Sequence, residues 1–397
     1  MNQGEQLRLL HVISSIDATN GGPIEGVTRL AAQLKLQGHS IDVACLDDDV
    51  PNPPTDGAFQ RVIRLGRGAG KYRFNLRLIQ WLKAHADEYD AVVVNGLWQF
   101  HGAAVMLVLS RQNIPYFVYS HGMLDPWFNR TYPVKYLKKL LYWLAIERHV
   151  VKRAKSLVFT SETERILAKT SFPMYRASES VTVYGTAPAP ATPITAKIVI
   201  PSDARDRRKI ILFLGRIHEK KGCDLLVRAF AAIEGLRNDY RLVIAGPDDS
   251  GLVAQLREEA TQLGIERDIT WPGMIQGRDK WLLIRSADVF CLPSHQENFG
   301  IAVAEALACG VPVLITDKVN IWREIVDYGA GFASSDTLDG VIEVLQDWIR
   351  TSTPAKETMR ASALACFNEK FHIDRVASSY LRIVAGRPDA VLEEAVS

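Results

Sequence analysis

Short apolar runs alternate with amphipathic stretches along the whole chain. The first run is Leu7–Ile13, followed by a glycine-rich turn, NGGPIEG, at Asn20–Gly26. Apolar residues then recur at Val27, Leu30, Ala31 and Leu34. That spacing predicts a helix closed by Gly38, a residue suited to a left-handed C-cap. Further strands are predicted at Ser40–Leu46, Ala91–Trp98, Tyr116–Gly122 and Ser156–Ser161. Their apolar residues do not alternate with polar ones, the pattern of parallel strands covered on both faces. From Tyr184 to Arg208 the chain turns rich in Pro and Ala and loses core periodicity, as a connection would. Strands are predicted again at Lys209–Gly215, Tyr240–Gly246, Ala287–Pro293 and Val311–Thr316. The expected class is α/β, with two Rossmann-like doubly wound domains, residues 1–184 and 206–370, joined by a linker at 185–205. Two such domains facing each other leave a cleft lined by the carboxyl ends of strands, where these sheets bind ligands.

A chain of 397 residues is too long for one ordinary core, which agrees with two domains. The five cysteines are scattered, without C-x-x-C spacing, and imply reduced thiols in a cytosol with neither a zinc site nor a disulfide frame. No stretch approaches the ~20 apolar residues of a membrane span. The N-terminus lacks the basic and long apolar regions of a secretory signal. A net charge of +2 gives no bulk attraction to nucleic acid. Neither half carries G-x-G-x-x-G, which disfavours a dinucleotide oxidoreductase.

Chemistry concentrates where strands end. Arg216 and Lys221 follow the strand LFLG around one turn. A planar guanidinium and an ammonium there could grip a diphosphate, or simply form a solvated charged loop. Asn298, Phe299 and Gly300 are expected to open a helix after CLPS, where unpaired N–H groups form an anion site. Glu297 precedes that helix and Glu305 lies within it, among Ile301, Val303, Ala304, Ala306, Leu307 and Ala308. Carboxylates repel phosphate but accept hydrogen bonds from paired hydroxyls, as in sugars and ribose. A Lys or Arg partner for Glu305 is the competing reading. In the first half, Gly22 sits in a turn at a strand's carboxyl end, and His121 and Asp125 follow the strand YFVYS. A histidine so placed could be structural or functional. Residues 133–156 mix leucines with Lys135, Lys138, Lys139, Arg148, Lys152, Arg153 and Lys155. This is either a core-packing helix with a basic face or a helix lying on an anionic membrane, helped by Tyr142 and Trp143.

Assembled, these features resemble the retaining GT-B glycosyltransferases of the glycosyl transferases group 1 family. The most specific motif is E-x7-E, matched by Glu297 and Glu305 in ENFGIAVAEALACGVPV. Arg216 and Lys221 match the family's basic pair, with YRLVIAG, WPG and ADVFCLPS in the expected order. The resemblance implies a nucleoside diphosphate sugar as donor substrate and no cofactor or metal, the cations serving instead. It implies Glu305 on the ribose, Glu297 on a hydroxyl of the donor sugar and Asn298–Gly300 amides on phosphate or sugar. Arg216 and Lys221 would hold the diphosphate, with His121 near the transferred sugar and Gly22 beside the leaving group. Nucleobase contacts would fall on backbone around Gly273, Met274 and Ile275, with Asp125 a weak candidate toward the acceptor. The C-terminal tail, about 371–397, would cross back onto the first domain, and a hinge near Tyr184–Arg205 would close on donor. The expected activity is hexosyl transfer, with retention, to a glycan or polyprenyl-linked acceptor in cell-surface polysaccharide or lipopolysaccharide synthesis. The expected place is cytoplasmic, peripheral on the inner face of the membrane. A sugar-nucleotide epimerase of the same fold and a silent sugar-nucleotide-binding subunit are the alternatives.

Overall fold

The computed structural model of the protein describes residues 6–17, 22–48, 57–131, 133–190, 206–248 and 250–386. They fall into two units, one running to Gly185 and resuming at Ile373, the other comprising Thr186–His372. The 191–205 part of the expected linker and residues 387–397 of the expected tail lie outside the described residues.

The first unit is built on a parallel sheet of seven strands. These are β1 (Arg8–Ile13), β2 (Ser40–Cys45), β3 (Arg61–Arg64), β4 (Ala91–Asn95), β5 (Tyr116–Tyr119), β6 (Ser156–Phe159) and β7 (Glu179–Val181). Their order in space, β3-β2-β1-β4-β5-β6-β7, reverses between β1 and β4. The helix Gly22–Leu36 follows β1, and the helix Ile373–Val384 packs against it, with Gln33 donating to Asp374. Ala377, Tyr380 and Val384 join Val27, Ala31 and Leu34 in the apolar layer on that face of the sheet.

The second unit carries a parallel sheet of six strands. They are β8 (Lys209–Leu214), β9 (Tyr240–Ala245), β10 (Ile269–Gly273), β11 (Val289–Leu292), β12 (Val313–Thr316) and β13 (Gly331–Ser334). The order is β10-β9-β8-β11-β12-β13, so the direction of winding reverses between β8 and β11. Crevices at such reversals, past the carboxyl ends of the strands, are where doubly wound sheets bind ligands.

Every strand predicted from an apolar run is present. The strands not predicted, β3, β7, β10 and β13, are the outer strands of the two sheets. An outer strand has one neighbour and thinner cover, so it lacks a continuous apolar run. β3 and β7 contain no buried residue, whereas all of β4 is buried.

The basic stretch 133–156 differs from expectation. It is not one amphipathic helix but a helix Pro133–Tyr142, a π-helical turn Trp143–Glu147 and a helix Arg148–Arg153. A π turn inserts a residue and rotates the helix beyond it, so the exposed face of the first helix is not continued. Trp143 is fully buried, with Nε1 donating to the Pro173 carbonyl at 2.8 Å, and the Tyr142 hydroxyl donates to Tyr72. The Trp143 ring is thus not exposed to a membrane surface, and Tyr142 is half-buried. Among the described residues no helix is long and apolar enough to cross a membrane.

Candidate active site

In the second unit the predicted residues gather at the reversal between β8 and β11. The chain leaves β8, turns through Glu219–Lys221 and enters the helix Cys223–Ala232 at Gly222. Gly222 has a φ of +65°, and a Cβ there would lie 2.0 Å from the Pro293 carbonyl oxygen. Only glycine lets this turn lie against the segment leaving β11. His295 N–H completes the seam by donating to the Lys220 carbonyl at 2.8 Å. Across it the Lys221 ammonium is ion-paired with the Glu297 carboxylate. Arg216 is exposed at the end of β8.

Glu297 is further fixed through its backbone, which accepts from Asn320 N–H and donates to the Lys318 carbonyl, both at 3.0 Å. The following helix starts at Ile301, later than expected, with Gly300 as its N-cap at a φ of +79°. Asn298 and Phe299 therefore belong to the turn before it. Phe299 is buried edge-on against Phe371, so only its backbone is available to a ligand. Glu305 is buried, and Oε1 accepts from the Lys280 ammonium at 2.8 Å. The lysine-partner reading of Glu305 is thus realised, and Lys280 is a residue that sequence reasoning missed. It stands in the first turns of the helix Gly277–Ser286 without any motif around it. Gly273, Met274 and Ile275 lie at the end of β10, where Gly246 N–H donates to the Gly273 carbonyl at 2.8 Å. Parallel strands bring all these residues to the same edge of one sheet.

In the first unit Gly22 is the first residue of its helix, just past β1. His121 leaves β5 with a φ of +50°, a backbone conformation that is uncommon outside glycine and typical of functional turns. Glu164 holds that turn from beneath. Its carboxylate accepts from Ser120 Oγ at 2.6 Å, Gly122 N at 2.7 Å and both Thr160 N and Oγ1 at 2.7 Å. The His121 ring stacks on Tyr119, 4.6 Å between centroids. Its Nδ1 meets the Tyr184 hydroxyl and its Nε2 lies 3.2 Å from Asn95 Oδ1. Asn95 in turn reaches His11, and His11 reaches Tyr380. Burial pulls His121 down to about 3, helped by the nearby His11 and His101, and pulls His11 down to about 4. Both rings are neutral at ordinary pH. Asn95 obeys the rule that singled out His121, a polar residue closing a buried strand, whereas His11 is hidden inside the apolar run of β1. Asp125, the weak acceptor candidate, accepts from Trp127 N–H at 2.8 Å and so caps the short helix Trp127–Thr131.

Residues 196–360 match the family described as glycosyl transferases group 1, and residues 21–183 match the glycosyl transferase 4-like domain. Both halves of the chain thus match glycosyltransferase models, the second that of the group 1 family. Over 184 residues this chain is 32% identical to an uncharacterized glycosyltransferase of Methanocaldococcus jannaschii, a stretch covering 45% of each protein. It therefore spans less than half the length of that relative. It is 26% identical over 345 residues to the D-inositol 3-phosphate glycosyltransferase of Kineococcus radiotolerans, covering 80% of this chain and 77% of the other. The crystal structure of Anabaena Alr3699/HepE in complex with UDP and glucose superposes with a TM-score of 0.73 at 16% identity. The superposition covers 96% of this chain and all of that one, which shows that the chain has the same GT-B fold.

Proposed function

We propose that the protein is a retaining, metal-independent hexosyltransferase. It moves a hexosyl group from a nucleoside diphosphate sugar to a glycan or lipid-linked acceptor in cell-surface glycan synthesis. The observation that carries this reading is the Lys221–Glu297 ion pair across the reversal between β8 and β11, beside the Gly300-capped helix that holds Glu305. Without donor the two charges satisfy each other. With donor, Lys221 turns to the diphosphate together with Arg216, and Glu297 is left to accept from a hydroxyl of the sugar. The second oxygen of Glu305 takes the ribose hydroxyls while Lys280 holds the first. The UDP in the Anabaena structure supports a uridine nucleotide as the first donor to try.

In the reaction the bond from the sugar's anomeric carbon to the diphosphate oxygen breaks. A bond from the acceptor oxygen forms on the same face, and the acceptor's proton passes to the departing diphosphate. The main rate gain comes from Arg216 and Lys221, which donor binding brings to where negative charge develops. A lipid-linked acceptor and a place on the inner face of the membrane are supported by the helix Pro133–Tyr142, where Val134, Leu137 and Leu141 are exposed beside Lys135 and Lys138. That face suits an anionic bilayer surface.

The test incubates the protein with UDP- and GDP-hexoses and membrane lipid extract, with and without a chelator. A product of unchanged anomeric configuration, formed equally with chelator, is expected. Conversion of the free sugar nucleotide to its epimer would replace this reading with an epimerase. Binding without turnover across all acceptors would replace it with a silent sugar-nucleotide binder.

A further inference from the structure

The hydrogen-bond chain behind His121 fixes its protons one at a time. The Val93 carbonyl can only accept, so the amide nitrogen of Asn95, 3.1 Å away, must face it. That nitrogen's second hydrogen goes to His11 Nδ1 at 3.1 Å. His11 Nδ1 therefore carries a lone pair, and its Nε2–H donates to the Tyr380 hydroxyl at 2.9 Å. On the other side, Asn95 Oδ1 can only accept, so His121 Nε2 carries the hydrogen that reaches it. A neutral imidazole has one N–H, which leaves Nδ1 of His121 as an acceptor for the Tyr184 hydroxyl. Both rings must be neutral for these roles to hold, and burial keeps them so. His11 and Asn95 sit on β1 and β4, the two strands at the reversal, and Tyr380 comes from the helix Ile373–Val384. The other titratable groups around the His121 ring are Tyr119 on its face, His101 and the Glu164 carboxylate beneath its turn. The cavity beside the chain, about 10 Å³, has room for one water at most, too little for a sugar.

We propose that Asn95, braced by His11 and Tyr380, is a positioning residue that holds His121 as the Nε2–H tautomer. Its Nδ1 lone pair then receives a hydroxyl of the transferred sugar in place of the Tyr184 hydroxyl. The proposal rests on the reading that puts His121 beside the transferred sugar. It makes His121 a hydrogen-bond acceptor for the sugar, neither a cation nor a donor. It also gives the C-terminal helix, through Tyr380, a part in ordering the first unit's site.

Imidazole NMR of protein labelled with ¹⁵N-histidine tests the tautomers without any substrate. His11 and His121 are both expected as neutral Nε2–H rings from pH 8 to pH 5. A hydrogen on Nδ1 of His121 in the unaltered protein overturns the proposal. Asn95→Asp is isosteric and turns the amide donor into an acceptor, its lost bond to the Val93 carbonyl being read separately as a lower Tm. It should move the hydrogen of His11 to Nδ1 and raise the titration of both rings, since a carboxylate favours the imidazolium. Asn95→Ala should lower kcat for transfer from the UDP- and GDP-hexose panel roughly tenfold, with KM within about twofold, as losing a histidine's orienting partner does elsewhere. Tyr380→Phe should lower it less. If His121→Ala loses transfer and Asn95→Ala does not, positioning by Asn95 is overturned. If His121→Ala transfers normally while Lys221→Ala does not, the place of His121 at the sugar falls and the proposal falls with it, leaving the tautomers intact.

Discussion

The two units keep their polar groups in opposite ways. In the second, the buried or half-buried groups are charged and paired, Lys221 with Glu297 and Lys280 with Glu305. In the first, the groups in line with the His121 ring are neutral and linked by directional hydrogen bonds, from Tyr184 through His121, Asn95 and His11 to Tyr380. Ion pairs suit a site that must hold a polyanion and then release it, because the ligand's charge can replace one partner. A neutral chain suits a site that must orient a sugar hydroxyl, because direction survives burial better than charge does. On the proposed function the fold carries an exchangeable half and a fixed half.

The largest effect that could break this contrast is on rate. Lys221→Ala should lower kcat on the order of 10²-fold, the usual cost of removing one group that stabilises developing charge. Near-normal turnover in the transfer assay would remove the exchangeable half from the chemistry. Next comes Gly222→Ala, which forces a Cβ against the Pro293 carbonyl at positive φ. A loss of about 1–3 kcal/mol is expected, read as a lower urea midpoint, with weaker donor binding because the seam carrying Lys221 is displaced.

The fixed half should be the more sensitive to pH. Burial lowers His11 and His101 to about 4 and His121 to about 3, below their unfolded value of 6.5. Above pH 6.5 these groups cost nothing; below it the unfolded state takes up protons that the folded state refuses, so stability falls between pH 6.5 and about 4. Hydrogen exchange at pH 5 should rise in the first unit before the second, and equal loss in both would erase the contrast. Glu147, fully buried in the π turn, has the opposite sign, because desolvation pushes its carboxyl from 4.5 up to about 8. Across that window the unfolded state loses a proton that the folded state keeps, so stability falls as pH rises, by roughly 1.4 kcal/mol per pH unit for the group at most. Glu147→Gln should raise Tm at pH 8 and change it little at pH 4, seen by calorimetry; a pH-independent change would contradict the buried neutral acid. The smallest effect concerns the surface of the first unit. Lys135→Glu with Lys138→Glu should weaken co-sedimentation with anionic vesicles, each lysine contributing about 1 kcal/mol, without changing the Tm. Unaltered co-sedimentation would leave the exposed leucines of that helix without the proposed role.

Much of the candidate site was legible because strand ends are legible. An apolar run followed by glycine and a polar residue marks a carboxyl edge, and Arg216, Lys221, Glu297 and His121 all stand at such edges. Phe299 and Asp125 stood there as well, yet one is packed in the core and the other caps a helix. Position along the chain does not say where a side chain turns. Trp143 shows the same, since it lies in a π turn that separates the two helices of the basic stretch and is buried.

By itself the sequence determined the parallel class of the inner strands, the existence of two wound halves and the family, because continuous apolar runs and fixed motif spacings are local properties. The outer strands, the partners of both glutamates and the five-residue chain through His121 were decided only in three dimensions. Lys221 and Glu297 are 76 residues apart and His11 and Tyr380 are 369 apart. Contacts of that span depend on which strands lie side by side where the winding reverses, and no local pattern carries that information.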